Sequence, residues 1–391
     1  MKKIKLGVVG LGHRGRFMYK LACEKFVCVE ATAACDILER NWYEKRWGLD
    51  KSMSELFPNT TFYKDYDEML EKAGLDAILI ETGADIHADF CIKALQRNIH
   101  VLTDIPVVAN LIEADELWKA SKESTAKIAV GANPNMQKFV YMLKEFHKTG
   151  RLGNPYYMEA EYIHWGYPKS DMTVMLNENG DWRKLLIPVR YCTHSLGPLL
   201  TVLNEDIRTA TCFVTGQHGP KEEYAGSQKP DMTCAVFQTE SGVTIRFLRN
   251  ARCRADCQGH SYRVFGSEGY IEREVRSDKE VIRFNSELDF NKKLQEVSGE
   301  YMPPEYANDK NVDVANHGGM DYALIDKFLK ALLTNAPLPV TLKEGLAMTI
   351  PGIYAEMSMK MGSKMVNVYY PWDSEWEKLI KEEKSLLERN S

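Results

Sequence analysis

The sequence has no apolar run approaching the roughly 18 residues that a membrane-spanning helix needs, so no membrane partner is expected. It has no excess of positive charge either. Lysine and arginine number 50 against 55 aspartates and glutamates, a formal net charge of -5, whereas proteins that hold nucleic acid carry a basic patch to displace counterions from phosphates. The densest basic run, from Arg246 to Arg254, reads as the solvated edge of a strand and its turn, and no nucleic acid is expected as partner. Paired cysteines are lacking too. The nine thiols are odd in number, scattered and mostly set in apolar runs, which argues against a disulfide framework and for a reducing compartment. Only Cys253 and Cys257 lie close together, and without a second pair or a histidine at ligand spacing no metal is expected. A strand-like run begins at Ile4 and leaves no room for a secretory leader, so the expected location is cytoplasmic. There is no internal repeat and no low-complexity tract.

What is present is ordinary globular composition, 44% hydrophobic and 27% charged, over 391 residues, enough for two cores. Short β-branched runs at Ile4 to Val9, Val27 to Cys35, Ala77 to Glu81, Ile99 to Leu102 and Lys127 to Val130 alternate with amphipathic segments. That rhythm predicts a parallel, doubly wound Rossmann sheet over residues 1–133. After Pro134 one helix, about Met136 to Lys148, precedes runs that rarely alternate with helices, and residues 134–391 are expected to form an α+β domain on an open, mostly antiparallel sheet. Two helices, about Gly319 to Thr334 and Leu342 to Gly362, are expected to close the fold. The methionines of the second read as core filler.

The chemistry begins with Gly10, Gly12 and Gly15, spaced G-x-G-x-x-G between the first strand and the first helix. Gly10 permits the turn, Gly12 lets backbone amides approach a pyrophosphate, and Gly15 lets helix pack on strand, with the helix N-terminus favouring negative charge. Asp36, about 20 positions beyond Gly15, ends the second strand, where a carboxylate accepts from the ribose hydroxyls of NAD and repels the 2′-phosphate of NADP. It can also cap the segment from Ile37, and Arg40 nearby can soften the preference. The expected cofactor is NAD. In the second half, Tyr162 and His164 are two apart and share a sheet face if they lie on a strand. Tyr191 and His194 share a helix face if a helix starts near Val189. His317 precedes Gly318-Gly319 at an expected helix N-terminus, which favours its neutral form.

The stretches "GVVGLGHRG", "ACDILER" and "LDAILIETGADIHADFCIKALQRNIHVL", with the strand-rich second half, resemble the Gfo/Idh/MocA family. Dehydrogenases of that family follow the fifth strand with Glu-Lys-Pro, the lysine helping to move the proton of the hydroxyl being oxidised. Here Asp104-Ile105-Pro106 stands instead, and Ile105 cannot carry a proton. The apolar replacement is similar to that of glycoside hydrolase family 109. "YIH" from Tyr162, "YCTHSLGP" from Tyr191 and "HGGMD" from His317 resemble that branch's elements, in order.

The resemblance implies an NAD-dependent glycoside hydrolase that oxidises C3 of a sugar transiently, loses the C2 proton, eliminates the aglycone, adds water and is re-reduced. On this reading Tyr191 assisted by His194 takes the hydroxyl proton, and Tyr162, His164 or His317 takes the C2 proton. His13, Arg14, Thr82, His87, Asp104 and Pro106 join the glycines, Asp36 and Arg40 around the cofactor, with His87 expected to be mainly structural. A sugar or cyclitol dehydrogenase making a keto-sugar is the alternative, and a non-catalytic NAD-binding sensor a third. The partner is a small carbohydrate, and the family implies a homodimer or homotetramer.

Overall fold

The computed structural model describes residues 3–46, 49–163, 186–219, 229–250, 259–276, 279–298, 304–306, 308–309, 312 and 315–390. Strands β1 (Ile4–Val9), β2 (Val29–Cys35), β3 (Thr61–Tyr63), β4 (Ala77–Ile80), β5 (His100–Thr103) and β6 (Ile128–Val130) form one parallel sheet in the order β3-β2-β1-β4-β5-β6. Helices over His13–Lys25, Tyr66–Lys72, His87–Gln96 and Leu111–Glu123 connect them. Nearly every residue of β1 and all of β4 are buried, as expected of parallel strands covered on both faces. The strand order reverses between β1 and β4, and the crevice beyond their carboxyl ends is where such sheets take ligands. β3 escapes sequence reading, being three residues long with no buried member.

The second sheet has nine strands in the order β14-β13-β12-β11-β7-β10-β9-β8-β15. They are β7 (Pro155–Ile163), β8 (Ile207–Val214), β9 (Met232–Thr239), β10 (Thr244–Asn250), β11 (Gly259–Gly266), β12 (Gly269–Arg276), β13 (Lys279–Ser286), β14 (Gln295–Ser298) and β15 (Val366–Asn367). All neighbours are antiparallel except β7 and β10. Met158, Ala160, Ile245, Phe247, Tyr262 and Val264 point inward and are buried. Alternate positions point outward and pair as ions: Glu159 accepts from Arg246 at 2.9 Å and Arg263 at 2.7 Å. Helices Met320–Thr334 and Leu342–Lys360 lie between β14 and β15 in the chain. Met348 in the latter is buried, but Met361 and Met365 are exposed, so the methionine stripe is only in part core.

The second half folds back on the first. The Val130 amide donates to the Val340 carbonyl at 3.0 Å, and in the last helix, Trp376–Asn390, the Trp376 indole donates to Asp115 at 3.2 Å. Among the described residues no helix is long and apolar enough to cross a membrane, seven cysteines are free, and no cluster of ligands fits a metal ion.

Candidate active site

The glycine loop has the shape of a phosphate cradle. Gly10 has φ +86°, and a Cβ there would lie 2.6 Å from the Glu81 carbonyl oxygen. A Cβ on Gly15 would lie 1.8 Å from the Gly10 carbonyl oxygen, so a larger residue would push the helix off the strand. The helix it opens has no side-chain cap and no acidic residue in its first turn. Its positive end is thus left to an anion. Asp36 is buried, and its carboxylate accepts from the Leu11 amide at 2.6 Å, the Leu38 amide at 2.8 Å and the Asn41 side chain at 3.1 Å. A carboxylate has about four acceptor positions, which leaves one for a ribose hydroxyl. Ile37 beside it is 82% exposed, an apolar surface beside the ribose position that suits an adenine ring. These residues fit NAD. Arg40 is exposed at the start of a one-turn helix. His87 is buried, with its two ring nitrogens 2.9 Å from the Pro106 carbonyl and 3.1 Å from that of Thr82, so it spans the loops after β4 and β5.

Arg14 leaves this loop for the second half of the chain. Its guanidinium makes two 2.8 Å hydrogen bonds to the Asp321 carboxylate, a fork-to-fork pair. Asp321 also accepts from Asn133 at 2.9 Å and lies 2.8 Å from Nδ1 of His317. Burial opposes ionisation of Asp321, but the charge of Arg14 and the bonds from His317 and Arg14 outweigh it and hold the carboxyl far below the ordinary range. The expected placement of His317 at a helix N-terminus needs correction. It lies within a single turn, Ala315–Gly318, and the long helix starts only at Met320, after Gly318 and Gly319 both take positive φ. A carboxylate, not a helix dipole, is the group that orients its ring.

Two further carboxyl groups crowd Arg14, Glu81 at 3.8 Å and Asp104 at 3.9 Å from Nε. Glu81 Oε2 is buried with no hydrogen-bond partner among the described residues. Burial, then repulsion from Asp104, push its carboxyl well up against the pull of an Arg14 already committed to Asp321. A group neutral in the fold but ionised in the unfolded chain lowers stability as pH rises from the unfolded value, about 4.3, toward the folded one. Glu81→Gln is therefore expected to stabilise the protein by about 1–3 kcal/mol at neutral pH and by little at acid pH, measured by thermal unfolding across pH. A gain independent of pH would refute the neutral assignment.

The aromatic side chains converge next to this node. Tyr162 at the end of β7 lies 6.0 Å from Tyr191 and 6.4 Å from His194, centroid to centroid, and Tyr191 meets His194 edge-on at 5.3 Å. The route differs from the shared helix face expected from sequence. Pro188–Arg190 is a 3₁₀ turn and the helix starts at Thr193, so Tyr191 lies outside it and the turn brings the two rings together. His194 is half-buried, and its buried Nδ1 has no hydrogen-bond partner among the described residues. Burial, then the nearby His317 and Arg14, push its imidazole well below the usual range, so it is neutral at physiological pH. His13 in the glycine loop is lowered in the same way, by burial, Arg14 and His317. His164 lies outside the described residues, as do Cys253 and Cys257.

Sequence reasoning gave Asn133, Asp321 and Glu81 no role, and misread Arg249. The run from Arg246 is not uniformly a solvated edge. Arg246 points outward, whereas Arg249 shares the inward parity of Ile245 and Phe247 and lies over Tyr162. An arginine at a core-parity position of a strand was the available signal.

Fold and site define an NAD-binding enzyme of the Gfo/Idh/MocA class. Residues 4–132 match the oxidoreductase family with NAD-binding Rossmann fold. Residues 177–377, just over half the chain, match the glycosyl hydrolase 109 C-terminal domain, and the chain belongs to that family of NAD-dependent glycosidases. It is 23% identical to glycosyl hydrolase family 109 protein 1 of Bacteroides thetaiotaomicron and 21% identical to an alpha-N-acetylgalactosaminidase of Shewanella oneidensis, covering 94% of this chain and 84% of each relative. A solved oxidoreductase from Agrobacterium radiobacter, in complex with NAD+, L-tartaric acid and magnesium, shares the fold with TM-score 0.75 at 14% identity, over 94% of this chain and 98% of that one.

Proposed function

We propose that the enzyme cleaves a glycoside by transient oxidation at C3, with residues 1–133 holding the cofactor and residues 134–391 supplying the proton carriers. The observation that supports this reading is the meeting of Tyr162, Tyr191 and His194 beside Arg14, in a chain with Ile105 where a dehydrogenase lysine would stand. NAD, when bound, supplies a reversible hydride acceptor for C3, so the complete cycle leaves no net oxidation.

Tyr191 accepts the C3 hydroxyl proton, with neutral His194 behind it as the next acceptor. The ketone so formed acidifies C2, and Tyr162 takes that proton. The C1–O bond to the aglycone then breaks as the C1–C2 double bond forms, the electron pair leaving with the aglycone oxygen. His317, its Nδ1 held by Asp321, is placed to protonate that oxygen. Water adds at C1, C2 regains a proton, and reduction at C3 with return of the hydroxyl proton restores the sugar. The Shewanella relative's name suggests an N-acetylgalactosaminide as first substrate to try.

NAD-loaded enzyme given a nitrophenyl α-N-acetylgalactosaminide in D2O is expected to release sugar carrying deuterium at C2 while no NADH accumulates. Sugar released without C2 deuterium would sink the scheme. Stoichiometric NADH with a keto-sugar product would instead establish the dehydrogenase alternative, which the shared fold of the Agrobacterium oxidoreductase keeps in view.

A further inference from the structure

Tyr162 is held from both sides along its sheet. β7 lies between β10 and β11, and the register pairs Tyr162 with Arg249 on one neighbour and with His260 on the other. Directly paired residues project to the same face, so the three side chains form one row on the inner surface. The guanidinium carbon of Arg249 lies 3.9 Å from the Tyr162 ring centroid, and the His260 ring stacks on Tyr162 at 3.8 Å with 26° between planes. The Arg249 Nη1 donates to the carbonyl oxygens of Tyr162, at 3.3 Å, and Asn250, which fixes the charge over the ring. Behind His260, Tyr262 lies nearly parallel to it, donates its hydroxyl to the His194 carbonyl at 2.7 Å, and is stacked by Phe139. The row is thus braced against the hydrophobic core and tied to the helix that carries His194.

We propose that Arg249 is a positioning residue whose fixed positive charge holds Tyr162 ready as a base, and that His260 fixes the ring's angle. The assignment rests on the reading of Tyr162 as acceptor of the C2 proton. A guanidinium stays charged at any working pH, and a positive charge about 4 Å from a phenol favours its ionised form. Among the described residues, the groups that face Tyr162 are Arg249 from β10, His260 from β11, His194 from the Thr193–Leu200 helix and Tyr191 before it. Of these Arg249 alone carries a charge that does not titrate. It also lies 5.7 Å from the Tyr191 ring, so one cation serves both phenols.

The test is C2 hydrogen exchange in D2O, followed across pH with the NAD-loaded enzyme and nitrophenyl α-N-acetylgalactosaminide. Arg249→Met is expected to move the acidic limb of the exchange profile up by about one to three pH units, with NAD affinity unchanged. Arg249→Lys keeps the charge and is expected to leave the limb near its wild-type position at a lower plateau, and guanidinium ion added to Arg249→Met restores part of the rate. His260→Phe keeps the stack and is expected to leave the limb in place. Arg249→Gln, which retains polar contacts to the carbonyls, repeats the measurement if methionine prevents folding. An unmoved limb in both neutral variants, or a lysine variant identical to them, overturns the assignment of Arg249 alone. A wild-type enzyme that cleaves the glycoside without exchange overturns the role of Tyr162 and this assignment with it.

Discussion

Tyr162→Phe is expected to lower C2 exchange and glycoside hydrolysis together by about 10² to 10⁴-fold while leaving NAD binding intact. The phenol oxygen is the only atom removed. The ring keeps its stack on His260 and its contact with Arg249, so the fold loses little. Tyr191→Phe supplies the contrast. In the scheme proposed here it acts before C2 is acidified, so reduction of the cofactor in a single turnover falls in Tyr191→Phe but persists in Tyr162→Phe. Stopped-flow absorbance of NADH separates them. Equal loss of the first-turnover signal in both variants would show that the two tyrosines do not divide the work as proposed.

Asp321→Ala is expected to cost the most stability of any single change at the site, about 3–5 kcal/mol by denaturant titration, because it strands the Arg14 guanidinium. Among the described residues Arg14 then keeps a 3.4 Å contact to Nδ1 of His317, Glu81, whose carboxyl burial pushes well up, and a partly exposed Asp104 at 3.9 Å. Asn133 and His317 lose their shared acceptor as well. The pH dependence has a definite sign. The Asp321 carboxyl is depressed in the fold, so its contribution is fully present above the unfolded value of about 3.9 and is lost only as pH falls through the folded value below it. The gap between wild type and variant should therefore hold from neutral pH into the acid range and narrow only below it. A gap that appears only above pH 6 would refute the assignment to Asp321.

Much of this was legible in the chain before any fold was known. The first sheet was readable because its central strands, β1 and β4, are runs of apolar residues buried on both faces, and because glycine is demanded where Gly10 and Gly15 leave no room for a Cβ. Tyr162, Tyr191, His194 and His317 could be named from short motifs. The way they meet could not. Tyr191 caps a 3₁₀ turn and meets His194 from outside its helix, because Pro188 starts a short turn and the helix waits until Thr193. Asp321 was visible in its motif without a role, since its role is defined by Arg14, more than 300 positions away.

The sequence by itself determined the cofactor and the class. A dinucleotide cradle is a local device, built from glycine spacing, one strand, one helix end and one acid at a set distance, and local devices can be read in one dimension. Only the tertiary structure decided how charge is distributed around that cradle. Which carboxyl near Arg14 is ionised, which imidazole is neutral and which cation lies over Tyr162 depend on burial and on strand register, and both arise from pairings between distant parts of the chain.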